Sequence, residues 1–438
     1  MPLLDALRKT DKRGLFNNFN PFAIYGSGFP PLDYLNAMKY TWYEDGQKKE
    51  TYLKGLVGGR FMTIVGYSGT GKTTLADQIG WSICNSYPDD DEDAKQKFKQ
   101  NALMIHVDVE KTALKSRIFE ITGADELTDG HRIIINSDNT YIEDVMTMID
   151  SICKEKESGG DEYKYDIDGR IFGVNGPIKM YVPTVFVIDS LKVFTSSSIN
   201  ESELEGGMST QHEVKDITQF YSKCISRMTK YNITIICTNH IQTKIKINPY
   251  EADKPQLMLL KDGEYLPRGQ AQIYLSTYLF RLNSSMSKAN TYTVDEYGFD
   301  GYRTVLQVTK TKTNFIGGKM TLAFNKAIGY DPVMTLYEFA NDNGLIMGRN
   351  PYLYIAGMDA YKFARKDFRK KFLEDSSFAN LMLQTLKPYL ENLIATVSSS
   401  DVAIDGNKLF TIDTDGNVVP TGVVETGSGE DAKLKLKA

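Results

Sequence analysis

The sequence predicts an α/β fold: a mostly parallel, twisted sheet with helices on both faces, preceded by an N-terminal arm and followed by a small helical C-terminal domain. Two observations lead there. Short apolar runs rich in β-branched residues alternate with helical patterns from about residue 36 to 335. The runs are near-continuously apolar, as strands buried on both faces are, rather than alternating as half-exposed strands do.

Residues 1 to 35 mix a short basic helix-like segment, Leu4 to Arg13, with Phe16, Phe19 and Phe22 among Asn, Gly and Pro, which reads as an arm for polymerisation. The strand candidates that follow are Phe61–Val65, Ala102–Val109, Arg132–Ile135, Thr184–Ile188 and Ile233–Cys237. Between them, the turn-rich stretch at about 155–180 reads as an inserted hairpin or loop. Three further runs, Ile273–Arg281, Thr304–Thr309 and Lys319–Phe324, are close together with no helical pattern between them, which predicts an antiparallel extension of the sheet. Beyond Gly344, Phe363, Phe368, Phe372 and then Leu381, Leu383, Leu386, Leu390 and Leu393 keep helical spacing, so residues 336–398 are assigned to the helical domain. Residues 399–438 are read as a partly mobile tail, with a hairpin about Asp415–Gly416.

Composition narrows the function classes. The 438 residues carry 51 Lys and Arg against 56 Asp and Glu, a net charge of −5, so a nucleic-acid-binding surface would have to be local. The four cysteines, Cys84, Cys153, Cys224 and Cys237, form no CxxC pair, which argues against a zinc site and fits a reducing cytosol. No apolar run approaches the roughly 20 residues that span a bilayer. The polar turn soon after Met1 does not fit a signal peptide, and the expected location is cytoplasmic (host cytoplasm if phage-encoded), without membrane partners.

The chemistry-bearing motif is Gly66-Tyr-Ser68-Gly69-Thr70-Gly71-Lys72-Thr73-Thr74, set between a strand and a helical run. Glycines let such a loop curl its N–H groups toward a phosphate at a helix N-terminus, where the helix dipole also favours an anion. Lys72 is placed for the β- and γ-phosphates, and the Thr73 hydroxyl for Mg²⁺. The expected ligands are therefore ATP and Mg²⁺. Thr184–Asp189 ends an apolar strand in a carboxylate, the second Mg²⁺ position. Asp108-Val-Glu110 ends another; Glu110 is placed to polarise an attacking water, with Asp108 as the fallback.

Together these segments resemble the RecA recombinases, and more closely their bacteriophage relatives of the UvsX type. The resemblance rests on Val187–Ser190, Glu203–Gln211, Thr238–Ile245, Arg268–Ala271 and Val308–Lys312, with Gly28–Asp33 and Gly55–Arg60 upstream, and spans roughly residues 25 to 335. It implies a RecA-like P-loop ATPase core over 36–335 with two DNA-binding loops. Gly206, Gly207 and Met208 fall in the first, with Met208 as a wedge against bases. Lys244, Ile245, Lys246, Arg268 and Gly269 fall in the second, with Ile245 as the other wedge. Wedges and loop amides suit sequence-independent binding, because base edges stay free to pair. By the same resemblance His240, where RecA has Gln and phage relatives have His, couples nucleotide state to DNA. Lys310 and Lys312 would complete the ATP site of a neighbouring subunit.

The function implied is an ATP-dependent recombinase forming helical homo-oligomeric filaments on single-stranded DNA, pairing it with double-stranded DNA, with single-strand-binding or mediator proteins as further partners. Two alternatives remain open at this point: a hexameric replicative helicase on the same core, and a filament scaffold that binds ATP without hydrolysing it. The long mixed second loop, with Glu251, Asp253, Asp262 and Glu264 diluting its charge, departs from the family pattern.

Overall fold

The computed structural model describes residues 21–394 apart from 45–46, 89, 173, 175, 198–208, 244–259, 262, 285–290 and 293–300, together with the short strands 410–412 and 418–420. Nine strands follow one another in space: β1 (Phe61–Gly66), β2 (Leu103–Asp108), β3 (Ile133–Asn136), β4 (Thr184–Asp189), β5 (Ile233–His240), β6 (Tyr278–Ser284), β7 (Gly301–Lys310), β8 (Lys319–Asn325) and β9 (Gly329–Tyr330). Their spatial order is β9-β8-β7-β6-β1-β5-β4-β2-β3, and the short strand Thr291–Tyr292 adds a tenth member beside β7. The pairs from β6 to β3 are all parallel, whereas β7, β8 and β9 run antiparallel to their neighbours.

The run expected over Ile273–Arg281 divides. Ala271–Leu275 is a short helix, α6, and only from Tyr278 does the chain enter the sheet, parallel to β1. The antiparallel extension therefore begins one strand later than the sequence spacing implied, because the long connection after β5 acts as a crossover. Such crossovers are what parallel neighbours require.

Burial on both faces explains the apolar runs. In β4, Val185 and Val187 face one way and Phe186 and Ile188 the other, the two-residue period of a strand. The first set packs under α1 (Lys72–Cys84), α2 (Glu92–Asn101) and α3 (Lys115–Thr122). The second set packs under α4 (Ile142–Gly159) and α5 (Ser209–Tyr231), where Phe61 stacks on Tyr221 with centroids 4.1 Å apart. Gly80 lets α1 lie close to the sheet. A Cβ there would meet Met104 Sδ at 3.2 Å and Val185 and Val187 methyls at 3.3 Å, which offsets the propensity cost of glycine inside a helix.

The stretch at 155–180 is the end of α4 followed by an antiparallel hairpin, Lys164–Asp168 with Pro177–Tyr181. The expected boundary at 335/336 falls inside α7 (Pro332–Asp342). After it come a hairpin, Ile346–Arg349 with Tyr352–Ile355, and the helices α8 (Phe368–Glu374) and α9 (Ser376–Glu391). Phe363, Phe368, Phe378, Met382 and Leu386 pack together with Ala323 of β8, so this region shares its apolar cluster with the sheet. The described residues up to Ile394 form one compact unit, and a second begins at Ala395. In the second, Phe410–Ile412 pairs antiparallel with Val418–Pro420, the strands of the expected hairpin. Among the described residues no helix is long and apolar enough to cross a membrane.

Candidate active site

Register brings the motif residues to one edge. Gly66 at the end of β1 pairs with His240 at the end of β5, and Asp189 at the end of β4 pairs with Asp108 at the end of β2. Four adjacent parallel strands thus end within about two residues of one another, at the edge where open α/β sheets present ligand-binding residues.

The loop after β1 is held from behind and open in front. Gly71, in the left-handed region at φ +78°, caps α1; a Cβ there would lie 2.5 Å from Tyr330 Oη, which donates to Thr70 O at 2.8 Å. Thr70 Oγ1 donates to Tyr67 O at 2.8 Å. Ser68 and Gly69 are exposed, Gly69 has open space around it at φ +75°, and Thr74 packs its methyl toward Gly329. Among the described residues, the N–H groups of Ser68, Gly69, Thr70 and Gly71 make no hydrogen bond to the rest of the chain. A loop of unpaired amides at a helix N-terminus is a concavity suited to an anion.

Lys72 is buried, and its Nζ donates to Tyr67 O at 2.9 Å while lying 3.5 Å from His240 Nδ1. Burial pushes its pKa down, against the pull of Asp189 and Glu110. Thr73 Oγ1 donates to Asp189 Oδ2 at 2.7 Å, and Thr238 Oγ1 donates to the other carboxylate oxygen. Glu110 Oε1 accepts from Ser190 Oγ at 2.5 Å and lies 3.6 Å from His240 Nε2. An ammonium only donates, so His240 Nδ1 is the acceptor and the proton of a neutral ring sits on Nε2, toward Glu110. Burial first, then the Lys72 charge, lowers the His240 pKa and favours that neutral ring.

Asp108 is engaged otherwise. Its carboxylate accepts from Thr112 N at 3.0 Å, Ala113 N at 2.9 Å and Ser137 Oγ at 3.2 Å, pinning the turn that carries Glu110. Of the two acidic candidates, only Glu110 meets the Lys72–His240 pair.

Gly206, Gly207, Met208, Lys244, Ile245 and Lys246 are outside the described residues. Arg268, at φ +69°, donates from Nε to Lys192 O at 2.8 Å and forms an ion pair with Glu213, so its guanidinium is engaged within the fold rather than open as a free cation. Gly269, at φ +80°, passes so close to Val214 that a Cβ would lie 2.7 Å from its Cγ1. Lys310 is half-buried, and its ammonium donates to Ile273 O and, at 2.8 Å, to Tyr274 O, the end of the short helix. Burial, then the neighbouring Lys312, pushes Lys310 down to about 8. Lys312 is exposed and lines a cavity with Gly59, Arg60 and Phe61 at the start of β1. Lys310 pairs with Leu279, and Leu279 with Thr63, three residues or about 10 Å along the strand from Gly66, and Lys312 lies toward the opposite sheet edge, at the start of β1.

Sequence reasoning did not single out Tyr67 or Arg281, and read Glu264 as a charge diluting the second loop. Glu264 is 4 % exposed; it accepts from both terminal nitrogens of Arg281, at 2.6 and 2.8 Å, from Tyr67 Oη at 2.7 Å and from Lys261 N at 2.7 Å. Its charge is neutralised inside the fold, so it does not dilute a cationic surface. Such a tertiary pair has no local spacing to reveal it.

The oxygens of Thr73 and Asp189 are the hard donor type that suits Mg²⁺. Among the described residues, no group of three or more His, Cys, Asp or Glu side chains is arranged for a metal of its own. No protein-family model matches the chain, and no curated protein matches it either.

Proposed function

We propose that this chain is a RecA-like, ATP-dependent recombinase that polymerises on single-stranded DNA, pairs it with a homologous duplex and exchanges strands. The observation that carries the reading is the meeting of Lys72, Thr73, Asp189, Glu110 and His240 at one sheet edge, with Lys312 exposed at the other.

ATP enters the open Gly66–Thr73 loop, whose amides and α1 N-terminus receive the phosphates. Lys72 leaves the Tyr67 carbonyl and turns to the β/γ oxygens. Thr73 and Asp189 would hold Mg²⁺, which supplies charge neutralisation at those oxygens when bound. Glu110, steadied by Ser190, orients a water and takes its proton as the water oxygen bonds to phosphorus and the bond to ADP breaks. His240 bridges Lys72 and Glu110 and begins the segment that the resemblance assigns to DNA, so the nucleotide and the strand are read by one stretch of chain.

Lys310 and Lys312 are too far from their own loop to act on it, so any role at a transferring phosphate is in trans. Lys312 is free to take it. Lys310 must first release the helix carbonyls.

The test is to add ATP and single-stranded DNA to the chain, examine the product by electron microscopy, and then supply homologous duplex. Helical filaments and joint molecules are expected. Closed rings that unwind a fork would favour a hexameric helicase, and absence of any DNA-dependent assembly would contradict both.

A further inference from the structure

The segment that leaves the sheet after β5 returns to it through a two-stranded ribbon, Gln242–Thr243 with Glu264–Tyr265. Its outgoing end is tied to the loop of Lys72 by His240. Its returning end is tied to the same loop by different atoms: Tyr67 Oη donates to Glu264, whose carboxylate is gripped by the Arg281 fork from β6.

We infer that Tyr67–Glu264–Arg281 is a second nucleotide-sensitive tie, through which the state of the Gly66–Thr73 loop sets the position of the ribbon and of the single-stranded nucleic acid held beyond it. The inference rests on the reading above for its ligands. Its physical basis is an asymmetry in how firmly the three residues are held. Arg281 and Glu264 are 2 % and 4 % exposed, and the bidentate pair satisfies both carboxylate oxygens, so the two move as one body with the sheet. Tyr67 is 42 % exposed and sits on the loop. Its carbonyl holds the Lys72 ammonium, and its hydroxyl holds Glu264. When Lys72 turns to a phosphate, the Tyr67 carbonyl keeps only the Thr70 hydroxyl and the Tyr67 hydroxyl contact is remade. All three are positioning residues that need not touch either ligand.

The experiment is amide hydrogen exchange on the full chain with and without Mg²⁺ and ATPγS, following peptides that cover 260–268, in the wild type and in Tyr67→Phe. The phenylalanine keeps the ring and removes only the hydroxyl. Nucleotide should slow exchange in these peptides at least threefold in the wild type, and that protection should vanish in Tyr67→Phe while the variant still binds ATPγS. A second variant, Glu264→Gln, keeps an acceptor for Tyr67 and should retain part of the effect. If the wild type binds nucleotide and the peptides do not respond, or if Tyr67→Phe responds as fully as the wild type, the tie is overturned and the functional reading stands. If the wild type binds no nucleotide, the reading falls and the tie with it.

Discussion

Thr73 and Asp189 meet through a 2.7 Å hydrogen bond from the Thr73 hydroxyl to the carboxylate, joining the first turn of α1 to the end of β4. Both groups are oxygen donors beside the Gly66–Thr73 loop. Thr73→Val should therefore remove the magnesium-dependent part of ATP affinity, about tenfold, and leave binding in EDTA nearly unchanged. Titration with a fluorescent ATP analogue, with and without Mg²⁺, reads the difference; equal losses in both would count against this pairing.

Glu110 is the second test. Glu110→Gln keeps the Ser190 hydrogen bond but cannot take a proton at neutral pH. Turnover should fall by about 10² to 10⁴, the range for a general base, with nucleotide affinity preserved. Phosphate release at saturating ATP measures it, and unaltered turnover would remove Glu110 from the role.

Lys312 offers a mixing experiment. Lys72→Ala disables the loop of one protomer, and Lys312→Ala removes the exposed cation proposed to serve its neighbour. A trans cation accounts for about 10³ to 10⁵ in rate, so each variant alone should be nearly inactive. Mixed in equal amounts, some interfaces pair an intact loop with an intact lysine, and turnover should recover well above either variant. No recovery, with both variants assembled, would argue against a shared site.

The parts of the fold that were legible in the sequence are those with a local signature. Phe61–Gly66, Thr184–Asp189 and Ile233–His240 are fully or almost fully buried strands, as their unbroken apolar runs imply. The loop and α1 lie where the glycine pattern puts them. What was not legible depends on partners distant in sequence. Ile273 sits in an apolar run yet turns a helix before β6, since short apolar stretches do not distinguish the two. Glu264 and Arg268 read as surface charges, but Arg281 and Glu213 engage them. Lys310 and Lys312 alternate in the sequence as on one strand, yet β7 ends at Lys310, whose ammonium turns to helix carbonyls that no spacing rule would reveal.

Lys156 gives a pH prediction outside the site. Its buried ammonium donates to Val182 O at 2.7 Å and Tyr231 O at 2.9 Å, and burial pushes its pKa from 10.5 down to about 7. Between those values the unfolded chain holds a proton that the folded chain has released, so this residue makes stability rise with pH from about 7 toward 10. Chemical denaturation at pH 7 and pH 9.5 should show the wild type gaining on Lys156→Met, on the order of 1–3 kcal/mol. A constant difference between the two proteins would contradict the assignment.

The central claim is that nucleotide chemistry, assembly and single-stranded DNA rise and fall together. It is tested most directly by steady-state ATP turnover per protomer, measured across protein concentrations with and without a long single-stranded DNA. The account predicts low turnover for the dilute chain alone and a cooperative rise once DNA gathers neighbours together. Turnover that is equally fast with and without DNA, and independent of protein concentration, would contradict it.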